Sequence, residues 1–210
     1  MFYPERLSEV ITRRIKKTNI NQEVFITFDD GPHPVCTPLV LDLLKKHNAK
    51  ATFFLILNNV KKYPEITKRI IDEGHTIGNH SSDHNTLNFF KSYKDLNNWV
   101  IESEKGFREL GIQTIGFRPP VGINTHLLNK VMTEANIPMI LWDTRYYDTL
   151  LQLNFKKISR SITKLRTGSI ILLHDKHSFK HQENFIKCLE FLICQTKVNY
   201  KLSAINKCHL

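Results

Sequence analysis

The sequence predicts an α/β fold, a parallel sheet covered by helices and either open or closed into a barrel. Three observations carry that prediction. Strand-length apolar runs alternate with helical apolar spacing seven times in 210 residues, and no linker or low-complexity segment interrupts them. Ionisable residues also recur just past the strand ends, where parallel sheets place their chemistry.

The first strand, residues 24–28, ends in the turn Asp29-Asp30-Gly31-Pro32. Leu39, Val40, Leu43 and Leu44 give residues 38–47 helical spacing. Residues 51–57 form a second apolar run, and residues 64–73 a helix stopped by Gly74. Residues 75–79 make a short third strand. Leu96, Trp99, Val100, Phe107 and Leu110 mark a long amphipathic helix over 92–110, closed by Gly111. Four more strands follow at 114–117, 138–142, 169–173 and 200–204, separated by helices at 125–135, 154–165 and 183–195. Asp29 and Asp30 then follow the first strand, His80 and His84 the third, and Arg118 the fourth. Asp148 lies a few residues past the fifth and His174 follows the sixth.

Hydrophobic residues at 41% and charged residues at 24% are ordinary for a globular chain. No run approaches the roughly 18 apolar residues of a spanning helix. Residues 1–21 are set apart as a basic amphipathic segment preceding a domain over 22–210. Leu7, Val10, Ile11 and Ile15 have helical spacing with charge throughout, unlike a secretion signal. Packing on the domain is the plainer role for this segment, and peripheral membrane contact through residues 1–17 the alternative. Cys36, Cys188, Cys194 and Cys208 show no CxxC pattern and read as reduced thiols. The expected location is therefore cytoplasmic or peripherally membrane-associated, with an extracellular one left open. The net charge of +10 is dispersed, without an aromatic-interleaved basic stripe, so it reads as a solvated surface and not a nucleic-acid site. Oligomeric state is not readable.

His80-Ser81-Ser82-Asp83-His84 separates two imidazoles by four residues, which in a helical turn share one face within reach of one ion. Such a pair is weak alone in a chain with ten histidines. A carboxylate strengthens it, because two His and one Asp leave coordination positions open for water and substrate. Asp29-Asp30 offers that carboxylate, although Asp, Gly and Pro also simply favour a turn. Adjacent carboxylates at a strand end point apart, so one can bind a cation while the other accepts a proton from an activated water.

Thr27-Phe28-Asp29-Asp30-Gly31-Pro32, His80-Ser81-Ser82-Asp83-His84, Arg118-Pro119-Pro120-Val121-Gly122, the stretch from Trp142 to Asp148, and Leu172-Leu173-His174-Asp175 occur in that order. Together they resemble the five motifs of the polysaccharide deacetylases, carbohydrate esterase family 4, also called the NodB-homology domain. The resemblance covers roughly residues 22–205 and implies a distorted (β/α) barrel of about seven parallel strands. It implies that Asp30, His80 and His84 hold a divalent metal, zinc before cobalt or another ion. Asp29 would be the general base, paired with Arg118, which keeps it ionised. His174 would be the general acid, paired with Asp148, which favours the imidazolium. The Val121 backbone N–H would stabilise the oxyanion, Leu172 would line the acetyl pocket, and Pro120 lies in the same substrate-contacting motif.

Two positions depart from the family pattern. Thr149 stands where Trp commonly follows the fourth-motif Asp, and Val121 stands where an aromatic is frequent. Both shrink side chains near the sugar site, which is expected to be wider or filled by Tyr146, Tyr147 or a partner. His33, His177 and His181 read as solvated loop histidines, His75 as structural, Trp142 as core, and Asp175 as a local backbone hydrogen-bonding group.

The leading functional expectation is an N-deacetylase of amino sugars, with an N-acetylated glycan or glycolipid as partner. An O-acetyl esterase on a glycan is the alternative within the same site. A non-catalytic carbohydrate-binding module is the alternative of another class, disfavoured because Asp29 and His174 are both present.

Overall fold

The computed structural model describes residues 22–210 together with Ile11 and Thr12. Its strands are β1 (Ile11–Thr12), β2 (Glu23–Asp29), β3 (Ala51–Leu55), β4 (Thr76–Asn79), β5 (Met139–Ile140), β6 (Thr144–Arg145), β7 (Ile170–His174) and β8 (Lys201–Leu202). Its α-helices are α1 (Cys36–Lys46), α2 (Leu57–Lys62), α3 (Pro64–Asp72), α4 (Tyr93–Glu109), α5 (His126–Glu134), α6 (Phe155–Ile162) and α7 (Phe179–Lys197). The main sheet runs β4-β3-β2-β7-β6, with β8 beside the start of β2, and every pairing is parallel. Single bridges through Phe117 continue it from Asn79 to Met139, and β1 pairs with β5. No pairing joins β5 to β6 among the described residues, so the expected barrel is present as an open parallel ring.

Alternation along β2 sorts the core. Val24, Ile26 and Phe28 point outward into the large cluster beneath α1 and α7, alongside Ile171 and Leu173 of β7. Phe25 points inward, where it meets Phe54, Ile115, Ile140, Ile170 and Ile205. This small interior plug fills the ring away from the strand carboxyl ends. Two and four residues beyond Phe25, the same face presents Thr27 and Asp29; on β7, Leu172 and His174 follow Ile170 likewise. A second outer cluster joins α4 and α5 through Leu96, Val100, Leu128, Val131, Met132, Phe117 and Met139.

Several expectations need correction. The strand expected at 114–117 reduces to the bridge at Phe117, and the one at 138–142 to two residues, with an unforeseen β6 after it. α2 was also unforeseen: its six residues carry no side-chain N-cap, so nothing local announces them. Ile11–Thr12 are extended against β5 instead of helical, because that edge offers backbone partners. The rest of the N-terminal segment, with its expected packing on the domain and the alternative of membrane contact, lies outside the described residues. No described helix is long and apolar enough to cross a membrane.

Candidate active site

The β2–β7 register sets Asp29 directly opposite His174 at the carboxyl end of the sheet. One residue beyond the strand, Asp30 adopts a left-handed backbone (φ 74°) and leaves the strand's alternation. Its Oδ1 lies 3.3 Å from His84 Nε2 and 3.5 Å from His80 Nε2. Asp29 Oδ2 is 3.8 Å from His80 Nε2, so both carboxylates border the same imidazole.

The histidine loop is not the helical turn expected from its spacing. Ser81 (φ 74°) and His84 (φ 58°) are both left-handed, and this brings the two rings to 5.2 Å between centroids. Asn79 organises the turn: its Oδ1 accepts from Ser81 N–H (2.7 Å) and Ser103 Oγ–H (2.9 Å), and its Nδ2 donates to Glu104 (2.9 Å). Ser81 Oγ accepts from His84 N–H at 2.9 Å. The chain entering α2 then ties both ligand loops together. Ile56 N–H donates to Gly31 O, Leu57 N–H to Ser81 O and Asn58 N–H to Ser82 O, each at 3.0 Å, while Asn59 Nδ2 donates to Asp30 O at 2.9 Å.

The donor set fits a cation. His80 Nδ1 donates to Arg118 O at 2.7 Å, which leaves Nε2 as a bare lone pair facing Asp30. Asp30 Oδ1 is buried and has no hydrogen-bond partner. Lone pairs at this separation repel unless positive charge lies between them, and buried polar atoms seldom stay unpaired. Ligand atoms of Asp30, His80 and His84 all lie within 4.8 Å of one another. Burial pushes the Asp30 carboxyl up, but the imidazoles of His80, His174 and His84 outweigh it and hold it well below the usual range. Burial and then His80 push His84 down, toward its neutral, ligating form.

Arg118 is fully buried. Its Nη1 donates to Asp29 Oδ1 (2.8 Å) and Thr27 Oγ1 (2.7 Å), Nε to Ile140 O (2.9 Å) and Nη2 to Leu141 O (3.2 Å). Its guanidinium lies 3.8 Å from the centroid of the Phe54 ring. Desolvation lowers its pKa, and Asp29 offsets that only in part. The Asp29 carboxylate is thus anchored by a fully buried guanidinium.

Across the site, His174 Nδ1 donates to Asp148 Oδ1 at 2.9 Å, and His174 N–H donates to Asp148 Oδ2 at 2.8 Å. Burial lowers the His174 pKa, but the hydrogen bond and charge of Asp148 outweigh burial and raise it overall. Burial raises Asp148, yet the hydrogen bonds from His174 and His177 bring it down to about 2.

The structure therefore gathers Asp29, Asp30, His80, His84, Arg118, Asp148 and His174. Pro120 is buried in a short 3₁₀ turn with Val121 and Gly122. Val121 is left-handed (φ 51°) and 55% exposed, an unusual backbone for a β-branched residue. The Trp142 ring packs so closely on Gly122 that a Cβ there would sit 2.4 Å from it. Trp142 therefore supports the turn at the mouth instead of lying wholly in the core. Leu172 is buried on the His174 face of β7. Tyr146 is buried and pairs with Ser161, so it does not fill the pocket. Tyr147 (φ 57°) is exposed, with Arg145 4.5 Å from its ring centroid.

Three groups escaped the sequence reading. Thr27 bridges Arg118 to Ile171 O, and its place two residues before Asp29 was the available signal. His177 has a buried side chain and is not a solvated loop histidine. Asp175 is fully buried and, besides the local backbone hydrogen bond expected of it, accepts from Thr37 Oγ1 (2.5 Å); burial raises it to about 7.

The chain is similar to known proteins. Residues 16–140 match the polysaccharide deacetylase family model. The peptidoglycan-N-acetylglucosamine deacetylase PgdA of Listeria monocytogenes is 36% identical over 81% of this chain, which spans only 36% of that protein's length. A peptidoglycan-N-acetylglucosamine deacetylase of Bacillus cereus is 36% identical over 75% of this chain and 74% of its own. The crystal structure of the Bc1960 peptidoglycan N-acetylglucosamine deacetylase superposes with a TM-score of 0.83 at 31% identity, covering 97% of this chain and 95% of that one. With the motif residues gathered at one end of the parallel sheet and these matches spanning most of its length, the chain belongs to the polysaccharide deacetylase family.

Proposed function

We propose that this protein is a divalent-metal-dependent hydrolase that removes the N-acetyl group from an amino sugar of a glycan or glycan precursor, including lipid-linked ones. One observation carries the reading. Asp30, His80 and His84 turn bare donor atoms toward one point, beside an Arg-held carboxylate and opposite a carboxylate-held imidazole.

Asp30, His80 and His84 would hold the ion, and the mixed nitrogen–oxygen set suits zinc, with cobalt able to replace it. When bound, the cation polarises the acetyl carbonyl and acidifies the attacking water. Asp29 accepts the proton that this water loses, and Arg118 keeps Asp29 aimed. The Val121 N–H, the Pro120 turn and Leu172 form the acetyl side of the pocket in this reading. His174 Nε2 delivers a proton to the sugar nitrogen as the C–N bond breaks, so acetate and a free amine leave. An amide needs that proton because an amide anion is a very poor leaving group. An ester needs it far less, so the Asp148-supported acid favours nitrogen over oxygen.

The test is acetate release by the zinc-loaded chain from penta-N-acetylchitopentaose and from O-acetylated xylooligosaccharide, with and without chelator. Release from the N-acetylated substrate, abolished by chelator and restored by zinc or cobalt, is expected. Release from the ester alone, or undiminished under chelation, overturns the reading.

A further inference from the structure

One buried histidine that this reaction does not use stands against its proposed acid. His177 lies three residues past the end of β7, and its side chain is 4% exposed. Its ring stacks on Phe185 of α7, with centroids 3.9 Å apart and planes at 30°. Its Nε2 is 2.8 Å from the backbone oxygen of His174 and 3.4 Å from Asp148 Oδ2. Both oxygens are acceptors, so Nε2 carries the hydrogen. The loop is clamped to the start of α1: His177 N–H donates to Cys36 Sγ at 3.4 Å, and Cys36 Sγ–H donates to His177 O at 3.5 Å.

These contacts complete the fixation of His174. Its N–H and Nδ1–H are taken by the two oxygens of Asp148, and its carbonyl accepts from His177. Only Nε2 remains to face the reacting nitrogen. We propose that His177 is a positioning residue for the proton donor, holding the His174 carbonyl and the far oxygen of Asp148 so that the imidazole keeps one orientation. The role rests on His174 being the acid. The ionisable groups facing His177 are Asp148 and His174 on one side, and Cys36 and His33 from the α1 side. A supporting partner around a catalytic group acts through orientation, and small misplacements of such groups cost large factors in rate.

Two variants separate the donor from the packing. His177→Phe keeps a ring against Phe185 but has no N–H, whereas His177→Gln keeps an N–H. In the zinc-loaded full chain acting on penta-N-acetylchitopentaose, His177→Phe is expected to lose about tenfold in kcat, with KM within about twofold. Its alkaline limb moves to lower pH as the His174–Asp148 pair loosens, and His177→Gln recovers to within about threefold of wild type. Independently of turnover, the deshielded His174 Nδ1–H resonance should persist in His177→Gln and broaden in His177→Phe. Wild-type kcat, pH profile and resonance in His177→Phe overturn the role. Retained turnover in His174→Ala overturns the acid assignment instead, so the two failures are distinguishable.

Discussion

On the His80 side of the site, the donors stand on loops whose backbone is bent into left-handed conformations at Asp30, Ser81 and His84. They end with Asp30 Oδ1 buried and unpaired. On the other side, His174, the proposed acid, is the last residue of a regular strand, and Asp148 meets its N–H and its Nδ1–H together. The first arrangement holds three non-glycine residues in a backbone that costs roughly 1–3 kcal/mol each. The second is complete with protein groups alone. The halves also divide along the chain, since Asp29, Asp30, His80, His84 and Arg118 lie within residues 16–140 that match the family model, while Asp148, His174 and His177 lie beyond them. The contrast teaches that the proposed cation would complete one half, while the other is built from protein groups alone.

The largest effects test that division directly. His80→Ala with His84→Ala should take bound zinc from one equivalent to near none and abolish acetate release. Asp29→Asn should lower turnover by about 10²- to 10⁴-fold while zinc stoichiometry stays at one. Equal zinc loss in both variants would erase the distinction. Next in size, Asp148→Asn should cost about 10- to 100-fold in kcat without changing zinc content. It should also move the pH profile. In the proposed mechanism His174 acts protonated, and Asp148 raises its pKa, so activity is expected to persist below that raised value and to be lost as pH rises through it. Removing the charge of Asp148 moves this alkaline limb to lower pH; an unmoved limb would mean that His174 is not the acid.

Smaller effects concern stability. Zinc at a hundred times its Kd should stabilise the wild-type chain by about 2.7 kcal/mol in denaturant melts, and the double histidine variant by nothing measurable. Gly31→Ala would bring a Cβ 2.5 Å from Asp175 Oδ2, so it should destabilise the zinc-free protein by about 1–3 kcal/mol. Denaturant melts matching wild type would show that the Asp175 carboxylate can move aside.

Much of this was legible in the residue order. Period-two alternation from Phe25 through Thr27 to Asp29 directs that carboxylate inward, and the same alternation from Ile170 directs His174. Asp30 could be read as leaving that pattern because it follows the strand. The histidine pair was found for the right spacing but the wrong geometry, since a left-handed loop, not a helix, brings the rings together. His177 looked like any loop histidine, because nothing adjacent in sequence reveals Phe185 or Cys36.

The sequence by itself determined the parallel α/β class, the inward faces of β2 and β7 and the chemical types of the site groups, because periodicity and residue chemistry are local properties. The tertiary structure alone decided that Gly31, Ser81 and Ser82 share donors from the segment entering α2, that Arg118 reaches Asp29, and that His177 steadies His174. Those choices satisfy buried hydrogen-bonding groups that lie tens of residues apart, and such pairings follow only from how the ring of strands is assembled.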